Sequence, residues 1–221
     1  VKPLRRRLRE RAAPGKTGRF LSWYAKHLAH TYPSEVGFLY IDNHVRPYYV
    51  KRRISKAFVT QRRLAMRAAS DFWVTNGSGQ PFFVVTGEVT SALTTALLPI
   101  LTKVRGVVGP DARPTVVFDR GGWSPKLFRQ ILDLGFDFLT YRKGRHRRYP
   151  PRDFMEKQEE VDGETVTYRL RDGRICLGGR RLRTVVRLRE DGRQTVIVGS
   201  RWDLTDVQFA HWMFARWREE N

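Results

Sequence analysis

Two aspartates close apolar stretches that read as strands, Asp42 in Tyr40-Ile41-Asp42-Asn43-His44 and Asp119 in Val116-Val117-Phe118-Asp119-Arg120-Gly121-Gly122. A carboxylate at the end of a buried strand is held rigidly and loses few rotamers on binding a ligand. Near the C-terminus, Phe209, Met213, Arg216 and Glu220 follow one helical face,. Phe209 and Met213 belong in the core, so Glu220 is expected to point inward with them, a costly place for a carboxylate without a cation. Three such acids converging would suit hard divalent cations, which take oxygen ligands, and a pair of ions can clamp the attacking and leaving oxygens of a phosphodiester. Taken singly, a strand-end aspartate is more often a turn-former or cap, and Glu220 with Arg216 is equally an i,i+4 ion pair. It is their conjunction in a cationic chain that points to metal.

The elements that must position these acids are legible in outline. Val36 to Ile41 reads as a buried strand, and Phe72 to Thr75 with Phe82 to Thr86 as a hairpin around Asn76-Gly77-Ser78-Gly79,. Leu93, Leu97, Leu101 and Val104 repeat at helical spacing, with a bend expected at Pro99 and a stop at Gly106,. Thr115 to Phe118 is a further strand. Ser124 and Pro125 open a helix that Gly135 ends, and Asp137 to Tyr141 is the fifth strand,. Three consecutive strands, then helix, strand, helix, strand, make a mixed α/β layer with antiparallel strands first and parallel crossovers after. If the first strand neighbours the fourth, Asp42 and Asp119 lie side by side. From 142 to 200 short alternating segments separated by Asp172-Gly173, Gly178-Gly179 and Asp191-Gly192 read as a β-rich insertion,. Thr205 and Gln208 then form a capping box, with Leu204 and Phe209 as a staple,. The expected organisation is a basic arm at 1–31, which includes a short helix from Phe20 to His30, a core at 32–141, the insertion at 142–200 and the glutamate helix at 201–221.

The 221 residues carry 42 Lys+Arg against 22 Asp+Glu, a net charge of +20. Self-repulsion on that scale calls for a polyanionic partner, and nucleic acid is the usual one, although ribosomal and membrane-surface proteins share the composition. With 41% hydrophobic residues the chain can bury a core,. A single cysteine, Cys176, excludes a disulfide framework and a cysteine-based zinc site,. No apolar stretch approaches the length of a membrane span, and the Arg5 to Arg11 run is unlike a signal peptide,. The run reads as a solvated arm or as one that tracks phosphates. The chain begins at Val1 and is expected to be a piece of a longer protein, working in a reducing, cytoplasmic, nucleoid-associated setting. Arg46, Arg120, Arg142 and Lys143 flank the expected site as phosphate contacts. His44 follows Asp42, and Trp123 and Trp202 can stack on a base or pack in the core. Glu219 is expected at the surface, Asp111, Asp133 and Asp137 in loops or at helix ends, and Glu88 at a helix start.

These residues resemble the catalytic core of DDE-type insertion-sequence transposases, whose fold is like ribonuclease H. Members tend to show Tyr-Ile-Asp-x-His-Val, as at Tyr40 to Val45, and Phe-Asp-Arg-Gly-Gly-Trp/Tyr-Ser, as at Phe118 to Ser124. They close with a Tyr-Arg-Glu-Lys helix, whose arginine and glutamate spacing Arg216 and Glu220 match. Met213 stands where the tyrosine is expected, and the lysine would fall beyond Asn221. The resemblance covers Phe38 to Asn221. It implies that Asp42, Asp119 and Glu220 hold two magnesium ions (manganese being the substitute), with Arg216 among the DNA-binding residues. It further implies hydrolysis at transposon ends, strand transfer of a 3′-hydroxyl into target DNA, a β-rich insertion before the last catalytic helix, and a homodimer in the synaptic complex. A catalytically inert, DNA-binding relic of such an element and an RNase H-like nuclease or resolvase are the alternatives.

Overall fold

A computed structural model describes residue 6 and residues 16–49, 55–59, 62–89 and 91–215. The described strands form one mixed sheet. They are β1 (Phe38–Pro47), β2 (Lys56–Val59), β3 (Leu64–Thr75), β4 (Pro81–Glu88), β5 (Thr115–Phe118), β6 (Asp137–Tyr141), β7 (Met155–Val161), β8 (Glu164–Leu177), β9 (Arg180–Leu188) and β10 (Gln194–Gly199). Their order is β2-β3-β1-β5-β6-β10-β9-β8-β7, with β4 also paired to β3. β1, β3 and β4 are antiparallel neighbours, whereas β1, β5 and β6 run parallel.

Among the described residues four α-helices cover the sheet: α1 (Lys16–Thr31), α2 (Leu93–Val108), α3 (Pro125–Asp133) and α4 (Asp206–Phe214). Side chains alternate across a strand, so the two faces feed two cores. Leu39, Ile41, Val116 and Phe118 pack with Leu28 of α1, Leu97 and Leu101 of α2, and Phe128 and Ile131 of α3. Tyr40, Val117 and Leu139 pack on the other face with Val185, Ile197, and Phe209 and Met213 of α4. Every residue of β5 is buried, as a central parallel strand covered on both faces requires,. None of the described helices is long and apolar enough to cross a membrane.

Local signals account for the boundaries. Ser124 accepts from the Leu127 amide and Pro125 opens α3, while Gly135, at φ +77°, ends it,. Thr205 and Gln208 make both halves of the capping box of α4,. The Asn76 turn closes with Gly79 donating to the Asn76 carbonyl.

Several expectations are corrected. α2 runs through Gly106 to Val108 without stopping, and Gly109, at φ +84°, follows its end. α1 begins at Lys16, earlier than Phe20. Glu88 ends β4 and opens no helix. Asp172-Gly173 is no turn but the middle of β8, in register with Val185 and Thr184 of β9. β2 was not foreseen. The β-rich strands at 142–200 continue the same sheet: Ile197, Val198 and Gly199 of β10 pair with Tyr141, Thr140 and Leu139 of β6.

Candidate active site

Asp42 is not at the end of its strand. β1 continues to Pro47 against β3, with Asp42 opposite Trp73. What ends before Asp42 is the parallel pairing with β5, whose last register pair is Ile41 and Phe118. The next residues are Asp42 on β1 and Asp119 after β5, so the two acids sit level on neighbouring chains. Adjacent strands lie about 4.8 Å apart. Alternation from Tyr40 and Val117 puts both aspartates on the face that α4 covers. Asp42 is exposed and Asp119 half-buried.

Asp119 is fixed from two sides. Its Oδ1 accepts from the Gly121 amide at 2.8 Å, and its carbonyl accepts from Thr140 Oγ1 at 3.1 Å. Neither of the glycines that follow has room for a side chain: a Cβ at Gly121 would lie 2.9 Å from Asp119 Oδ1, and one at Gly122 would lie 2.5 Å from the Phe118 ring.

α4 approaches this edge. The Tyr40 hydroxyl donates to the Trp212 carbonyl at 2.9 Å, and Phe38 stacks on Trp212 at 4.3 Å. Phe214, the last residue of α4, has its ring 6.4 Å from that of Tyr141. Thr140 pairs with Phe118, so Tyr141 is level with Asp119 on the next strand. The N-terminal end of α4 is tied to the β-rich strands. Arg183 donates to the carbonyls of Leu204 and Arg201 and pairs with Asp172 at 2.8 Å. Lys157 pairs with Asp206 at 2.7 Å, and Glu159 accepts from Thr205 and Gln208. Glu220, Glu219 and Arg216 lie outside the described residues, as does the basic run apart from Arg6. Among the described residues no group of three His, Cys, Asp or Glu side chains is placed to hold a metal ion.

The flanking cations differ in their surroundings. Arg46, two residues beyond His44 on the Asp42 face, is paired with Asp71 at 2.8 Å and stacks over Tyr48 at 5.0 Å. Asp71 is buried and also accepts from Thr86 Oγ1 at 2.6 Å. This carboxylate was missed in the sequence, where a lone acid between Ser70 and Phe72 was the available signal. Arg120 is exposed, 5.8 Å from the Tyr141 ring. Lys143 is exposed, and the Arg142 Nε is buried with no hydrogen-bond partner among the described residues.

Two further acids are held by arginines. Asp137, expected in a loop or at a helix end, opens β6 instead and is held by Arg113 at 2.7 Å and Ser200 at 2.6 Å. At the end of the sheet away from the aspartates, the Arg201 guanidinium holds the Asp203 carboxyl below the usual carboxylate range through their hydrogen bonds. Trp123 packs edge-on against Phe128, whereas Trp202 is half exposed under Arg181.

A family model described as "Transposase protein" matches residues 1–221. No curated protein sequence matches the chain. Among solved structures, it is similar to the piggyBac transposase in a cryo-EM structure of its synaptic complex with hairpin DNA. The TM-score is 0.50 at 10% identity, over 97% of this chain and 46% of that one. The chain thus spans about half the length of that transposase, and the likeness is one of fold.

Proposed function

The chain belongs to the transposase protein family whose model spans it, and from that premise we propose that it is the catalytic domain of a DDE-type DNA transposase. Three antiparallel strands followed by two parallel crossovers support an RNase H-like core at 32–141, completed by the helix at 201–221. The observation that carries the reading is the register of β1 and β5, which leaves Asp42 and Asp119 level on one face, beneath the helix that leads toward Glu220.

Two carboxylates side by side suit magnesium, a hard cation that takes oxygen donors. Asp42 and Asp119, joined by Glu220, would hold the ions. When bound, these supply the positive charge that activates the attacking oxygen and stabilises the leaving one. The protein's own part is to fix the acids: Gly121 holds the Asp119 carboxylate in one orientation, and Thr140 holds its backbone. A water oxygen attacks the phosphorus at the transposon end and the P–O3′ bond breaks, releasing a 3′-hydroxyl. That hydroxyl, losing its proton, then attacks a phosphorus of the target, and the target's own P–O3′ bond breaks, its 3′-oxygen leaving as a hydroxyl. Arg46, Arg120, Arg142, Lys143 and Arg216 serve as phosphate contacts. Transposon ends and target DNA are the partners, and two copies of the protein meet in the synaptic complex.

The test is cleavage of labelled transposon-end DNA in magnesium by the unmodified chain and by Asp119→Ala. The substitution should cut the rate by at least about 10²-fold, on the scale of removing a single preorganised charge-stabilising group. Binding should be retained. Cleavage that persists unchanged in Asp119→Ala would reject the site.

A further inference from the structure

From Asp119 the surface continues into an open groove of about 730 Å³, lined by Arg120, Arg145, His146, Arg148, Arg189 and Arg193, with Gly144, Gln194 and Thr195 between them. No acid lines it. The sides come from distant parts of the chain, the loop after β6 and the turn between β9 and β10. Among the described residues Arg145, Arg148 and Arg189 make no ion pair, whereas Arg193 pairs with Asp191 at 3.5 Å. A recess of about 190 Å³ behind the groove shares His146 and adds Arg142, Arg147 and Arg174. Arg142 brings a buried Nε there that lacks a hydrogen-bond partner among the described residues. A buried unpaired donor costs about 1–3 kcal/mol until an acceptor meets it.

Gathering so many guanidinium groups without counter-charge in one concavity is unfavourable unless an anion occupies it. The lining also says how that anion is read. No Phe, Tyr or Trp lines the groove, so beyond the single His146 imidazole it offers no row of rings on which successive bases could stack,. Guanidinium groups alone meet phosphates, and phosphate contacts set position without carrying sequence information.

We propose that this groove is a sequence-blind phosphate track, which binds the backbone of the DNA running away from Asp119 and makes the β-rich strands part of the nucleic-acid surface. The proposal rests on the transposase reading for the identity of the polyanion. It adds Arg145, Arg148, Arg189 and Arg193, none of which the sequence singled out.

The test is equilibrium binding of the full chain to two DNA duplexes of unrelated sequence over a range of salt, with no cleavage needed. Arg145→Ala, Arg148→Ala and Arg189→Ala combined should lower the slope of log affinity against log salt by about 0.9 for each phosphate no longer neutralised, so by about 2–3 in all, and equally for both duplexes. The same three positions changed to Lys should restore most of the slope, because each interaction is with a charge. As a control of equal charge, Arg19→Ala, Lys26→Ala and Lys103→Ala on α1 and α2 should leave it nearly unchanged. An unaltered slope in the groove variant, an equal fall in the control, or a fall confined to one sequence would overturn the proposal. Any of these would leave the cleavage test with Asp119→Ala standing. Conversely, a groove that binds as predicted in a chain whose cleavage ignores Asp119 would reject the catalytic assignment alone.

Discussion

A methyl group on Gly122 would lie 2.5 Å from the Phe118 ring and 2.9 Å from Leu97, closer than any real side chain sits. Phe118 directly precedes Asp119, so the same contact that excludes a larger residue presses the acid-bearing segment onto α2. Overpacking a tight site of this kind costs about 1–3 kcal/mol. Gly122→Ala should therefore reduce stability by that amount, measured by urea unfolding of the unmodified and substituted chains. Gly106 provides the contrast, since it lies inside α2 with open space at its Cβ position. Gly106→Ala should stabilise by about 0.5–1 kcal/mol, because alanine loses less freedom in a helix. Opposite roles for two glycines are invisible in the sequence, where both look like punctuation. What separates them is whether a neighbour fills the space beside the α-carbon.

Arg183 shows the same contrast between local and long-range causes at the scale of elements. Its guanidinium is almost fully buried, pairs with Asp172 across the β8–β9 ladder, caps carbonyls just before α4, and lies 5.3 Å from the Phe209 ring. One side chain thereby fixes the helix entry to the sheet. It also explains why Asp172-Gly173 runs straight: the cross-strand ion pair and the fit of Gly173 beside Thr184 outweigh the turn preference of the dipeptide,. Capping boxes, Asn-Gly turns and Ser-Pro helix starts were legible because they depend on residues a few positions apart. The length of β8, the existence of β2 and the partner of Asp71 depend on neighbours that folding supplies. Arg183→Met should cost about 1–3 kcal/mol through the carbonyls and carboxylate left unmet. Arg183→Lys should recover little, since an ammonium cannot make the forked contacts. Hydrogen exchange should show the weakening first in α4, with α2 less affected; uniform weakening of both helices would count against a local clamp.

Across the whole molecule, the change of texture after residue 142 looks like a boundary because arginine becomes frequent and the apolar runs shorten. Much of that arginine is laid on aromatic rings, with Arg171 3.8 Å from Tyr149 and Arg187 4.8 Å from Tyr168 and 4.7 Å from Phe214. Composition therefore marks how the outer strands are faced, while hydrogen bonding decides what they join. β10 closes against β6, and Leu139, Val117 and Tyr40 share a core with Val185, Ile197 and Met213. A core that draws on both sides of the apparent boundary cannot lose one side without exposing the other. We expect α1 to α4 and the sheet to unfold as one cooperative unit, with helical circular dichroism and tryptophan fluorescence tracing the same transition,. Ile197→Ala, in β10, removes a fully buried side chain and should destabilise by about 2–5 kcal/mol,. It should shift both probes together, although the helical signal comes largely from α1, α2 and α3 on the opposite face. Two resolved transitions, with only the later-sequence strands unfolded early in Ile197→Ala, would show instead that the outer sheet folds on its own. In that case the groove beside Asp119 would be a contact between two folding units and not a feature of one.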